Sequence, residues 1–294
     1  MKIPSLLPIS LLALVPSLTS AQESSNNQGW VSLWNGKDFS GWSTWLNKPH
    51  RDTTVRGLTR DAEGRYLEDV GIDCDPLRVF EIVSVDGAPA IRISGEIFGE
   101  LRSEESLENY HLSLQFKWGG KKWPPREKPE TPRDSGLLYH AHSQAEDESR
   151  NWSRSIELQI QQGDCGDLYS IGSAISVRAR FDKSLKSPAY VYDPKGTWTF
   201  FSQIPGQSGR CIKSPDAENP TGEWNTIELV CVGPEAIHIV NGQVVMRLHG
   251  PFRIDGATPR PVTSGPIILQ SEGAEIFYRN IRYRPIQSIP AAYR

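Results

Sequence analysis

Cysteine is scarce in this 294-residue chain, with four residues at positions 74, 165, 211 and 231. None of them forms a CxxC spacing or a Cys/His cluster, so no ligand set for a structural zinc is present. Four cysteines leave three disulfide pairings open, and Cys231, inside an apolar strand pattern, also reads as a buried thiol. An excess of charge of one sign is missing too. The formal net charge is −3 and the Lys and Arg residues are scattered, which gives no argument for nucleic acid or an anionic membrane as partner. After the first twenty residues no long apolar run occurs, so no membrane span is expected. Helical stripes, internal repeats and signs of a second domain are equally absent.

The N-terminus reads as an export signal. Lys2 supplies the positive start, Ile3 to Leu18 is mostly apolar but broken by Pro4, Pro8 and Pro16, and Thr19-Ser20-Ala21 offers small residues for cleavage. With no Cys beside that site, a bacterial lipoprotein anchor is not expected. The expectation is an exported protein, periplasmic or extracellular, with residues 1–21 as signal peptide and 22–28 as a short linker. One domain over 29–286 and a tail over 287–294 would follow. That length suits a single large all-β domain. Asn151-Trp152-Ser153 matches a glycosylation sequon, which has meaning only outside bacteria.

Strand-like segments recur throughout: 31–34, 80–85, 90–94, 110–118, 136–140, 156–161, 167–172, 175–180, 225–232, 236–240, 243–248, 266–271 and 276–283. Tyr110 to Trp118 alternates cleanly, with its aromatic and aliphatic residues on one side. Asn241-Gly242 between two apolar runs predicts a tight hairpin, because both residues tolerate positive φ. Many strands separated by turn signals predict a two-sheet sandwich. Three stretches interrupt them. Gly119 to Arg133 is dense in Pro, Lys and Glu, and Ser143 to Ser153 is charged and polar; both flank the 134–140 strand and read as loops at one end of the sandwich. Lys183 to Asn219 reads as irregular.

The most informative segment is Ser155-Ile156-Glu157-Leu158-Gln159-Ile160-Gln161, apolar at even and polar at odd positions, as in a strand with one buried face. Its polar face carries a carboxylate and two carboxamides, where a solvated strand more often shows Lys, Thr or Ser. An acid-rich turn, Gly163 to Tyr169, follows it, and Asp134-Ser135-Gly136-Leu137-Leu138-Tyr139-His140 precedes it. Three polar clusters on neighbouring segments suggest a sheet face lined for a hydroxyl-rich ligand; an ordinary wet sheet face is the plainer account. Nine Trp and nine Tyr suit stacking on sugars and equally suit core filling.

The order of motifs resembles a known family. Gly29-Trp30-Val31-Ser32-Leu33-Trp34-Asn35-Gly36-Lys37-Asp38 with Gly41-Trp42 is similar to the opening of the domain long called DUF1080, described as a 3-keto-glucoside lyase and 3-keto-2-hydroxy-glucal hydratase, or 3-keto-disaccharide hydrolase, domain. Leu101-Arg102-Ser103-Glu104, Asp134-Ser135-Gly136, Glu157-Leu158-Gln159-Ile160, Gly222-Glu223-Trp224-Asn225, Val240-Asn241-Gly242, and Gly265-Pro266-Ile267 through Gln270, Glu272 and Arg279-Asn280-Ile281 follow in the family's order. The likeness spans about Gly29 to Arg284. Asp134 stands where many relatives have Asn, and Cys165 in the acidic turn is a second departure. The resemblance implies a concanavalin A-like jelly-roll sandwich, all-β, in agreement with the strand pattern.

It also implies a chemistry. The ketone of a 3-keto-glucoside acidifies the C2 hydrogen; removing it gives an enolate that expels the C1 oxygen, and water then adds at C1. Such a site needs a base, a stabiliser for the C3 oxyanion and an acid for the leaving oxygen. Glu157 is the first choice for base or acid, and His140 the second proton-transfer candidate. Gln159 and Gln161, about 7 Å apart on one face, with Arg154, Tyr139, Asp134, Gln270 and Glu272, are candidates for substrate contact. Asp164 and Asp167 could hold a divalent cation or merely cap their turn; no cofactor is otherwise implied, and the implied partner is a carbohydrate. A conventional glycoside hydrolase would show two carboxylates at alternate positions, where this strand has Gln159 and Gln161, unless another strand supplies the second. A non-catalytic sugar-binding module is the remaining alternative.

Overall fold

The alternation at 155–161 becomes the strand Ser155–Gln161 in the computed structural model, which describes residues 29–254 and 258–294. Ile156, Leu158 and Ile160 enter the core while Glu157, Gln159 and Gln161 face the other way. Burying each such aliphatic side chain contributes roughly 1.5–3 kcal/mol, so a one-residue slip, which would expose all three, is strongly disfavoured. The same logic fixes Tyr110–Lys122, whose Leu112, Leu114, Phe116 and Trp118 point inward.

Among the described residues two antiparallel sheets form. The eight-stranded one runs Arg210–Cys211, Leu168–Ile171, Ser155–Gln161, Asp134–Tyr139, Ser264–Ser271, Gly99–Glu108, Trp42–Leu46, Gly71–Ile72. The twelve-stranded one has Ser173–Asp182, Gln243–Arg253, Glu235–Val240, Asn225–Val232, Tyr110–Lys122, Ala274–Pro285, Ala88–Ile93 and Phe80–Val85 in that order, with shorter strands at its edges. Their inner faces share one core, from Leu137, Leu158 and Leu269 on one side to Leu114, Ile227 and Tyr278 on the other. The architecture is the concanavalin A-like two-sheet sandwich. Val31–Arg294 forms one compact unit. Asn241 and Gly242 take φ of 48° and 78° and close the predicted hairpin, with Val240 paired to Gln243.

Several expectations need correction. The 183–219 stretch holds three strands, Ala189–Tyr192, Thr197–Ser202 and Arg210–Cys211, in none of which burial alternates. Trp42–Leu46, Gly71–Ile72 and Gly99–Glu108 are also strands. The strand from Tyr110 runs on to Lys122, beyond the expected loop start at Gly119. The cysteine question left open resolves without a disulfide: all four are free thiols, and Cys231 is buried as its strand pattern suggested. Residues Ile286, Ile289 and Tyr293 pack on Val230, Ile237 and Ile239 of the outer sheet face. The expected signal peptide and linker lie outside the described residues, and among the described residues no helix is long and apolar enough to cross a membrane.

Candidate active site

The outward face of the eight-stranded sheet carries a pocket of about 280 Å³. Its floor comes from neighbouring strands: Glu157, Gln159 and Gln161 from one, Asp134 from the next and Gln270 from the third, with Glu272 just beyond it. Tyr169, directly opposite Glu157 in register, closes one side together with Ile171 and Gln203. The two predicted loops supply the walls: Arg126 from the Pro-rich loop, Arg150 and Trp152 from the 143–153 loop.

Gly136 makes this floor possible. It pairs with Gln159, and two residues along the register from Leu138–Ile268 it comes beside Gln270. Its φ is that of an ordinary strand, so the need for glycine is spatial. A Cβ there would overlap Oε1 of both Glu157 and Gln270 and stand 2.9 Å from Gln270 Cδ. The missing side chain is therefore the slot in which a carboxyl and a carboxamide lie side by side. Neither of those oxygens, nor Oε1 of Gln159, has a hydrogen-bond partner among the described residues, although all are buried. Unpaired buried acceptors are costly and mark a place where a ligand's donors belong.

Electrostatics set the proton inventory. Arg126 Nη2 contacts Asp134 Oδ2 and lies 2.5 Å from Glu272 Oε1. Three carboxyls thus face one guanidinium and cannot all ionise cheaply. Burial pushes Glu157 well above the usual carboxylate range, and the charges of Glu272 and Asp134 push it the same way against the pull of Arg126. Burial and Glu272 raise Asp134 to about 9, with Arg126 opposing. Glu272 is raised by burial, again against Arg126. Asp134 and Glu272 lie close enough that ionising one opposes ionising the other.

Beside the pocket, Glu100 pairs with Gln270 across the sheet and accepts hydrogen bonds from the Ser153 backbone N–H and hydroxyl, both at 2.8 Å. It anchors the loop that presents Trp152. Burial raises Glu100 to about 7 against those two bonds. Trp152 Nε1 is fixed on the Gly99 carbonyl at 3.1 Å.

Six of the residues expected from sequence meet in the pocket: Asp134, Glu157, Gln159, Gln161, Gln270 and Glu272. Others do not. Tyr139 has the opposite parity to Asp134 on their shared strand, so its ring enters the core and its hydroxyl meets His238 Nε2 at 3.1 Å. His140 leaves the strand at φ 53° and packs edge-on against Tyr139 and Tyr110 outside the pocket, with burial lowering it to about 3. Arg154 grips Glu148 with two 2.8 Å hydrogen bonds. Asp167 is buried under Arg210 Nε and Nη2 and the Lys213 N–H, and Asp164 lies 2.9 Å from Arg210 Nη2, so a guanidinium occupies the place considered for a cation. Among the described residues no group of three or more His, Cys, Asp or Glu is arranged to hold a metal. Arg126, Arg150, Trp152 and Tyr169 were not singled out from sequence. Tyr169 was within reach of register reasoning; the three loop residues carried no periodic signal.

The sequence pattern of the 3-keto-alpha-glucoside-1,2-lyase-like domain matches residues 29–284. The chain belongs to this family. No curated protein matches it. Among solved structures, a candidate glycosyl hydrolase of Parabacteroides distasonis ATCC 8503 is 16% identical with a TM-score of 0.47, covering 92% of this chain and 98% of that one. The CBM66 carbohydrate-binding module of Bacillus subtilis is 9% identical with a TM-score of 0.37, covering 70% and 91%. LamAcat of Zobellia galactanivorans is 11% identical with a TM-score of 0.37, covering 87% and 96%. Likenesses this remote bear on neither activity nor substrate.

Proposed function

We propose that this protein cleaves 3-keto-glucosides by β-elimination across C1–C2 followed by hydration of the resulting 3-keto-2-hydroxy-glucal, with net hydrolysis. The observation that carries the reading is the buried, unpartnered Glu157 carboxyl lying over Gly136 beside the Gln270 carboxamide. A carboxylate with a raised proton affinity is a strong base once ionised, which suits removal of a C2 proton acidified by the adjacent ketone. Gln159 and Gln270 offer amides to the C3 oxyanion, since each can present N–H by rotating its amide. Asp134 keeps a proton well above neutrality and is the acid for the departing C1 oxygen. Arg126 holds Asp134 and Glu272 in place and keeps the cluster's charge tolerable. The N-terminal sequence, read as an export signal, supports a periplasmic or extracellular setting for the reaction.

One alternative has a specific observation behind it. Asp134 and Glu272 bring further carboxyls into the Glu157 pocket from other strands, as a conventional glycoside hydrolase requires. Both, however, are tied to Arg126 and to each other, which leaves neither free as a nucleophile. The two readings separate when purified protein is incubated in deuterated water with 3-keto-trehalose, related 3-keto-glucosides and their unoxidised parents. Elimination and hydration release 3-keto-glucose carrying deuterium at C2 and leave the parents intact. Cleavage of the parents, or product with its C2 hydrogen retained, refutes the proposal.

A further inference from the structure

A cavity of about 530 Å³, larger than the polar pocket, lies on the outward face of the twelve-stranded sheet. Val177, Met246 and Leu248 enter the core, so their strand neighbours Arg178, Arg247 and His249 point away from it and line this cavity. Val177 pairs with Leu248, and one step further along these antiparallel strands Arg178 falls opposite Arg247. Neither guanidinium is in an ion pair among the described residues. Arg178 donates to the Gly196 carbonyl at 3.1 Å and Arg247 to the Tyr293 carbonyl at 2.5 Å, which leaves most of their N–H donors without a protein partner. The carboxylate on the lining, Glu235, is placed by register opposite His249, whereas Arg247 has Ile237 opposite it. Trp198 lines the same cavity with its ring half exposed, and the Arg178 guanidinium lies over that ring, 4.8 Å from its centroid. Tyr192, Pro194, Ile237 and Ile289 complete an apolar wall.

We infer that this cavity is a second binding site, for an organic acid carrying an apolar ring, with the carboxylate between Arg178 and Arg247 and the ring against Trp198 and Ile289. Like charges set directly opposite each other on neighbouring strands oppose pairing, and an anion between them removes that cost. A carboxylate matches the planar donor fork of one guanidinium with two parallel hydrogen bonds, and a second guanidinium adds to that hold. The aromatic and aliphatic wall covers a ring that water solvates poorly. Inorganic phosphate would satisfy the arginines but leave that wall wet. A hydroxyl-rich acid would press its hydroxyls against carbon and leave them unpaired. The site owes nothing to the elimination chemistry, because Glu157 lies on the outward face of the other sheet.

The test is isothermal titration of the purified protein with 2-naphthoate, 2-naphthamide, glucuronate and inorganic phosphate, repeated for Arg178→Ala, Arg247→Gln and Trp198→Ala. Arg178 and Trp198 are exposed, so their variants keep the fold even if Arg247→Gln releases the chain end held at Tyr293. Naphthoate is expected to bind with one-to-one stoichiometry, and each variant to weaken it about tenfold or more. The uncharged amide, lacking the carboxylate, should bind the unaltered protein at least about tenfold less tightly than naphthoate. Naphthoate binding that is absent, or undiminished in both Arg178→Ala and Trp198→Ala, overturns the site. Glucuronate or phosphate binding as tightly as naphthoate overturns the apolar ring assigned to its ligand.

Discussion

Replacing Gly136 by alanine is the sharpest test of how the pocket is built. The methyl group has no strain to overcome in the backbone, because φ there is that of an ordinary strand, so its whole effect is the intrusion. Glu157 Oε1 and Gln270 Oε1 would each have to retreat by about 1 Å to reach ordinary contact with the new carbon. Both are the far ends of flexible side chains, which limits the structural cost to roughly 1–3 kcal/mol. Catalysis has less room to adjust, since a displacement of about 1 Å in a proton-transfer group costs on the order of a hundredfold in turnover. Gly136→Ala should therefore unfold only a few degrees earlier, followed by near-ultraviolet circular dichroism. It should lose about a hundredfold in kcat on a 3-keto-glucoside with a smaller change in KM. A variant folded as wild type with near-normal kcat would show that neither Glu157 nor Gln270 needs its observed position.

Three further outcomes are expected. Glu157→Gln keeps shape and hydrogen-bonding capacity but cannot take up a proton, and turnover should fall roughly a hundredfold or more with modest change in binding; single-turnover kinetics would reveal a near-normal chemical step if the role is wrong. Because the base works only when ionised and Glu157 holds its proton to high pH, kcat should rise with pH through and beyond neutrality; a rate that falls over that range would assign Glu157 as the acid instead. Glu100 has its folded proton affinity raised from 4.5 to about 7, so the stability it contributes is full below the lower value and lost as pH rises through the upper one. Across that window Glu100→Gln should gain on wild type in thermal unfolding, by up to about 3 kcal/mol, and a gap independent of pH would refute the charge burial.

Strand alternation at 155–161 made Glu157, Gln159 and Gln161 legible as one face, because period-2 burial is a local property that a sequence displays directly. The same rule, applied to the neighbouring strand, separates Asp134 from Tyr139: five residues apart, they must point to opposite faces, and the structure puts one in the pocket and the other in the core. His140 escapes that rule because the chain leaves extended geometry at its positive φ. Arg126 lies in a loop with no periodicity, and its importance appears only when residues 134 and 272, remote in the chain, are brought against it. The short strands between 183 and 219 are defined by their pairing partners rather than by their own composition. Family resemblance added what alternation could not, the jelly-roll class of the sandwich and the chemistry expected of the face.

The position of the last strands has a consequence in time. Ser264–Ser271 is late in synthesis yet sits in the middle of its sheet, between Asp134–Tyr139 and Gly99–Glu108. Ala274–Pro285 does the same in the other sheet, between Tyr110–Lys122 and Ala88–Ile93. A nascent chain that has not yet reached residue 264 therefore holds each sheet in two parts with open inner edges, and a pocket without Gln270 or Glu272. Residues 264–285 are the keystones of both sheets, so neither the sandwich nor the site can close until they emerge from the ribosome.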